Sequence, residues 1–86
     1  MIGSLEAHNA LLEGRFYHFR TTEADYPKAI EFYTEATRLD PRYAVAWSEL
    51  AHAWVDLSTY YLEGAQAQDA YAKAREAADQ RICLRT

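Results

Sequence analysis

The sequence predicts an all-α domain, and three observations support that prediction. Apolar side chains recur at steps of three and four along four separate runs, which places them on one face of a helix. The 86 residues include three glycines and two prolines, so few positions break a helix. No run shows the alternation of a β-strand over enough residues to compete. The length indicates one domain over residues 1–86.

The first two helices are predicted on either side of the interrupting stretch "RTTEADY". The first covers 5–19, and its apolar face comprises Ala7, Ala10, Leu11, Gly14, Tyr17 and His18. Thr22 stands just before acidic residues, which favour a helix start. The second helix covers 24–39, and its apolar line comprises Tyr26, Ala29, Ile30, Tyr33, Ala36 and Leu39.

The stretch "RLDPRYAVAW" predicts a break between two helices. Pro41 lacks the N–H that a helix interior needs, and it drives Asp40 out of the helical region. Helical spacing then resumes, and the third helix is predicted over 43–61. Gly64 is predicted to end this helix in a left-handed conformation. The fourth helix is predicted over 67–83. Short connections favour antiparallel packing of the four helices.

The helical pattern occurs twice along the chain. Ala10, Gly14 and Tyr17 align with Trp47, Ala51 and Trp54 at an offset of 37. Helices two and four align as well, with Ala29 and Tyr33 against Ala74 and Ala78. The small residues at Gly14 and Ala51 are predicted to let the two helices of each pair approach closely. The sequence therefore predicts two copies of one helical hairpin.

These residues resemble the tetratricopeptide repeat (TPR) signature, W-x2-L-G-x2-Y followed by A-x3-F and P. The match lies in "WSELAHAW", with Trp47, Leu50, Ala51 and Trp54, and in "AIEFYTEATRLDP", with Ala29, Tyr33, Ala36 and Pro41. The resemblance implies two tandem hairpins in a right-handed superhelical stack, about 7–41 and 44–86. The second repeat is degenerate, because Arg81 replaces a small alanine and the connection "STYYLEGAQAQ" is long.

The TPR resemblance implies a scaffold for protein–protein interaction, and the stretch "EGRFYHFRTTEADYPKAIEFYTEATRLDPRYAVAWSELA" is similar to repeats of bacterial signalling proteins. A partner peptide would bind along helices one and three, in a groove lined by His8, Leu11, Arg15, His18, Ser48, His52, Val55 and Asp56. The alternative is a structural or self-association element within a larger regulatory protein. A homodimer is predicted through an exposed face of the fourth helix formed by Tyr71, Ala74, Ala78, Ile82 and Leu84.

Composition weighs against several other functions. A net charge of −4 disfavours a nucleic-acid partner, and no apolar run approaches the length of a membrane span. One cysteine and the absence of a signal-peptide pattern indicate a cytoplasmic location by default. The three histidines form no tight ligand motif, although Asp56 lies four residues after His52 and is predicted to contact it. We therefore predict no metal, no cofactor and no enzymatic activity, with an enzyme or metal protein as the weaker hypothesis.

Overall fold

The computed structural model describes the backbone of residues 2–85 and the side chains of residues 5–83, and within that range it is all-helical. Helix α1 spans Ile2–Arg20, α2 Asp25–Leu39, α3 Ala44–Tyr61 and α4 Gly64–Arg85. Consecutive helices pack against each other: α1 on α2, α2 on α3 and α3 on α4. The prediction of an all-α fold with four helices is confirmed. The predicted boundaries are within one residue of those observed for α2 and α3, whereas α1 and α4 each begin three residues earlier.

Thr22 caps the start of α2. Its side-chain oxygen accepts a hydrogen bond from the Asp25 N–H at 3.1 Å and donates to the Asp25 carboxylate at 2.8 Å. Its carbonyl accepts from the Tyr26 N–H at 3.1 Å, so the turn at 23–24 already follows the helical bonding pattern. This reciprocal arrangement resembles a capping box and satisfies donors that the first turn leaves unpaired.

Thr21, just before this cap, holds a conformation that threonine rarely adopts. Its φ is +52°, in the left-handed region that ends helices and favours glycine. Its N–H bonds the His18 carbonyl at 3.2 Å, which closes the last turn of α1. The chain therefore accepts local strain where α1 turns into α2.

We expect Thr21→Gly to raise the free energy of unfolding by about 0.5–1 kcal/mol, because glycine removes this strain at a modest entropic cost. Thr22→Ala, one residue further, should lower it by about 1 kcal/mol through loss of the cap. Thermal unfolding of the two variants measures both values. A lower Tm for Thr21→Gly would contradict the assignment of strain.

Pro41 separates α2 from α3 as predicted. Asp40 is extended, with φ −141°, and the turn that follows is closed by the Tyr43 N–H bonding the Asp40 carbonyl at 3.0 Å. The Trp47 indole N–H bonds the Pro41 carbonyl at 2.9 Å, which ties the turn to the second turn of α3. Pro41 itself lies in the turn, and the helix resumes at Ala44.

The connection between α3 and α4 differs from the sequence-based prediction. The expected long connection is wrong: only residues 62–63 separate the helices, because "GAQ" belongs to α4, while "STYY" lies in α3 within the predicted span 43–61. Gly64 does adopt a left-handed φ of +56°, but it begins α4 and does not end α3. The extended backbone of Leu62 makes the break instead, with φ −114° and ψ 155°.

The core lies between the two hairpins and is built mainly of alanines and a few large side chains. Its buried members are Ala10, Leu11, Tyr26, Ala29, Ile30, Tyr33, Ala36, Ala46, Leu50, Ala53, Leu57 and Ala77. At Gly14, α1 and α2 approach too closely for a side chain, since a Cβ built on it would lie 2.5 Å from the Tyr33 ring. The prediction of a small residue at this crossing is confirmed, but the side chain that presses on it is Tyr33.

Candidate functional site

A groove of about 320 Å³ lies between α1 and α3, on the side away from the turn at Pro41 that joins the two hairpins. Four of its residues are among those predicted from the sequence to line a peptide groove: Arg15, His18, His52 and Asp56. Its other lining residues are Phe19, Thr21, Tyr33 and Glu49. Within α1 and within α3, the lining residues are three or four positions apart, about one turn, so they lie on one face of their helix.

His18 forms the polar centre of the groove. Its Nε2 lies 2.8 Å from the Asp56 carboxylate and its Nδ1 lies 3.0 Å from the Tyr33 hydroxyl. A neutral imidazole that donates from Nε2 to the carboxylate accepts at Nδ1 from the phenol, so all three groups are satisfied. The edges of the Tyr26 and Tyr33 rings pack against the imidazole, with centroids 5.7 Å away. The predicted contact of Asp56 with His52 is replaced by this bond to His18.

Tyr33 supplies the buried end of this hydrogen-bonded chain. Burial raises the pKa of its phenol far above the usual value, and the negative charge of Glu49 raises it further. The phenol therefore stays protonated throughout the physiological range and remains a donor to His18.

Arg15 and Glu49 form a second link between α1 and α3, with the Arg15 Nε 3.1 Å from a Glu49 carboxylate oxygen. The prediction that Arg15 faces a ligand is therefore incomplete, because its charge already has a partner within the chain. Two polar contacts, Arg15 with Glu49 and His18 with Asp56, join the hairpins across the groove. Arg15 and Glu49 thus offset each other's charge, whereas Asp56 keeps its negative charge beside a neutral imidazole.

The groove continues into a second depression of about 570 Å³ near the end of α3. Its lining residues are Thr21, Tyr26, Asp56, Tyr60 and Tyr61, so it shares Thr21 and Asp56 with the first. The Tyr61 hydroxyl donates to the Thr21 carbonyl at 3.0 Å and fixes this end of the groove. Phe19 is 82% exposed and Tyr60 is 68% exposed, although both are large aromatic residues.

The sequence-based site omitted these aromatic residues, although the signal was available. Phe19 lies four residues after Arg15, and Tyr60 lies four after Asp56, so each continues the same helical face. Tyr60 falls within the predicted third helix, 43–61, and the structure places it in the last turn of α3.

The remaining predicted groove residues lie elsewhere. His8 is exposed, and its ring nitrogen is 3.1 Å from the Tyr43 hydroxyl. Leu11 is 1% exposed and belongs to the core, so its assignment to a binding surface is wrong. The TPR resemblance placed it in the groove, whereas its helical spacing placed it on the apolar face of α1, and that face is buried. Ser48 and Val55 line a different groove, which His52 also lines.

That different groove, the α3–α4 groove, has a volume of about 540 Å³. Its lining residues are Ser48, Ala51, His52, Val55, Tyr71, Ala74, Arg75, Ala78 and Arg81. Three residues of the predicted self-association face are among them: Tyr71, Ala74 and Ala78. Ala74 is nevertheless buried against α3, and Ile82 is exposed outside the groove. The side chain of Leu84 lies outside the described residues.

Neither the described part of the chain nor known proteins supply a further feature of this site. Across the described side chains, no cluster of three His, Cys, Asp or Glu residues is placed to hold a metal ion. The described helices include none with the length and hydropathy to cross a membrane. The chain matches no family model, no curated protein and no solved structure. The TPR resemblance therefore stays a prediction from the sequence.

Proposed function

We propose that this chain is a protein–protein interaction module that binds a peptide segment of a partner along the α1–α3 groove. The observation that carries the proposal is the pair of exposed aromatic side chains, Phe19 and Tyr60, at the edge of a groove with a fixed polar centre. Large exposed aromatic rings beside a concavity are typical of contact surfaces, since they bury much area with little loss of conformational entropy.

The chemistry of the groove favours a peptide that carries an apolar side chain next to a basic one. The rings of Tyr26, Tyr60 and Tyr61 surround the larger depression and would receive the apolar side chain. Asp56 borders both depressions, and its side chain is 29% exposed despite the bond to His18. A cationic group could therefore reach its carboxylate, and the overall charge of −4 favours approach of a basic segment.

The same proposal includes the family and setting implied by the sequence. The two hairpins would stack as TPR-type repeats in the cytoplasm, as part of a larger bacterial signalling or regulatory protein. The order of the helices and the residues of "WSELAHAW" and "AIEFYTEATRLDP" support it. The second candidate function, self-association, is favoured by a separate observation, the open α3–α4 groove.

Selection of random displayed peptides on the 86-residue chain tests peptide binding directly. We expect enriched peptides to bind Phe19→Ala and Tyr60→Ala at least about tenfold more weakly than the wild type, as for central interface aromatics. Tyr71→Ala is the matched control, because Tyr71 is also an exposed tyrosine but lies outside the α1–α3 groove. Circular dichroism verifies that each variant is folded. Peptides that bind the Phe19 and Tyr60 variants as tightly as the wild type would refute this site.

A further inference from the structure

The two hairpins provide a position-by-position comparison of surfaces. Residues of α3 follow their α1 equivalents by 37, as in Gly14 and Ala51, and residues of α4 follow their α2 equivalents by 45, as in Tyr33 and Ala78. Helix α3 packs on the first hairpin. Each position that it covers there has an equivalent on the second hairpin, and the burial of the two positions can be compared.

The surface of the first hairpin that receives α3 is open on the second hairpin. Three of its buried residues lie in the core or at the α1–α2 crossing: Gly14, Tyr33 and Ala36. Their equivalents are each half-buried and line the α3–α4 groove: Ala51, Ala78 and Arg81. The α3–α4 groove is therefore a second copy of the surface that holds a helix in the first hairpin.

The face of α3 that packs on the first hairpin has an equivalent on α1, and that equivalent face is exposed. The inserted face consists of four buried residues: Ala46, Leu50, Ala53 and Leu57. Their equivalents on α1 are all exposed: Asn9, Glu13, Phe16 and Arg20. Leu5 and Leu12 extend this surface, which we call the α1 outer face, with two more exposed apolar side chains. Both halves of the internal joint thus recur, unoccupied, at opposite ends of the described structure.

We propose that copies of this chain associate head to tail, with the α1 outer face of one copy docked in the α3–α4 groove of the next. Helix α1 of one copy would lie on the second hairpin of the next copy in the way that α3 lies on the first hairpin. Burial of a continuous core between successive hairpins is the general source of stability in stacked repeats. This inference does not depend on peptide binding in the α1–α3 groove.

The volumes of the two proposed halves complement each other. In the internal joint the large residue is Tyr33, on the receiving hairpin, and the small one is Ala53, on the inserted helix; both belong to the same core cluster. At the open ends the sizes are reversed, since Ala78 replaces Tyr33 and Phe16 replaces Ala53. Phe16 is 57% exposed, and the α3–α4 groove has room for its ring.

Charge is also complementary between the two surfaces, at a second set of equivalent positions. Ile30 and Leu50 are buried in the core cluster at the internal joint. Their equivalents at the open ends are Arg75, which lines the α3–α4 groove, and the exposed Glu13 on α1. An apolar pair is thus replaced by two opposite charges, which favours the same register between copies.

Such an interface joins two different surfaces, so it is heterologous and differs from the two-fold homodimer predicted through α4. Each added copy leaves one α1 outer face and one groove open, unless the copies close into a ring. The mass of the wild type should therefore rise with concentration through a series of species. A two-fold contact would stop at a dimer.

Two blocked variants test the arrangement. Phe16→Glu places a charge on the α1 outer face, and Ala78→Glu places one in the α3–α4 groove; neither residue lines the α1–α3 groove. Light scattering after size exclusion should show each variant alone at 9.9 kDa. An equal mixture should form a dimer of about twice that mass, because each variant keeps the half that the other lacks. Asp79→Ala, exposed on α4 outside the groove, should associate as the wild type does.

A charge exchange gives a second test that spares the half-buried Ala78. Glu13→Arg and Arg75→Glu should each associate more weakly than the wild type, and their mixture should recover wild-type association, since opposite charges face each other again. A wild type that stays at 9.9 kDa at every concentration would overturn the proposal. So would association of either blocked variant alone, which indicates a two-fold contact, or a mixture of blocked variants that forms no dimer.

Discussion

Gly14→Leu is expected to lower the free energy of unfolding by about 3 kcal/mol or more, at the upper end of the range for overpacking. Even a single Cβ at Gly14 would lie 2.5 Å from two atoms of the Tyr33 ring. The ring is fully buried and its hydroxyl is bonded to His18, so moving it would break that bond and disturb the core packing. The helices α1 and α2 would have to separate. Chemical denaturation, followed by circular dichroism, measures the loss.

Ala51→Leu is the matched control, because Ala51 occupies the position equivalent to Gly14. It is half-buried and faces the α3–α4 groove, where the residue equivalent to Tyr33 is Ala78. A leucine there has room, so we expect a loss well below that of Gly14→Leu. This revises the simple expectation that both small residues fill the same role. Equal losses at the two positions would show that the groove is closed in solution.

A double-variant comparison isolates the contact with Tyr33. Gly14→Ala should destabilise the wild type. In a Tyr33→Leu background, with the ring removed, it should be neutral or stabilising by up to about 1 kcal/mol, since alanine favours a helix more than glycine does. The same cost in both backgrounds would place the strain elsewhere.

Alkaline pH is expected to destabilise the domain steeply through its buried tyrosines. Burial raises the pKa of Tyr33 and also that of Tyr26, whose neighbouring charge Asp56 adds to the shift. Above a pH of about 10 the unfolded chain loses these phenolic protons while the folded chain retains them. Unfolding then releases protons, so stability falls as pH rises, by about 1.4 kcal/mol per pH unit for Tyr33, and Tyr26 adds to the fall.

Tyr33→Phe tests this dependence. It should lower stability at neutral pH by about 1 kcal/mol, because His18 Nδ1 loses its partner. It should also reduce the dependence of the free energy of unfolding on pH, because unfolding at alkaline pH would release about one proton fewer. Its stability should then approach or exceed that of the wild type at high pH. Urea denaturation between pH 8 and about 11.5 measures the slopes. Identical slopes for the wild type and Tyr33→Phe would contradict the role of Tyr33.

The lining of the α1–α3 groove was only partly predictable. The TPR resemblance assigned Arg15, His18, His52 and Asp56 to one groove, and the structure places all four around it. Within each helix they stay together because residues on one face keep their neighbours in any packing. Their partners were not predictable, since a bond such as that of His18 with Asp56 joins residues 38 apart. Leu11 was misplaced for a different reason: the TPR resemblance assigned it to the groove, whereas its helical spacing with Ala7 and Ala10 had already placed it on the face that is buried.

The sequence by itself determined the four helices, the break at Asp40-Pro41 and the doubling of the hairpin. These features follow from local chemistry, namely side-chain spacing, the missing N–H of proline and the small residues at Gly14 and Ala51. The tertiary structure alone decided which equivalent positions are covered. Tyr33 presses on Gly14 while Ala78 leaves Ala51 beside an open groove, because α3 packs on the first hairpin and no described element packs on the second in the same way. Burial depends on contacts between distant segments, which local spacing does not specify.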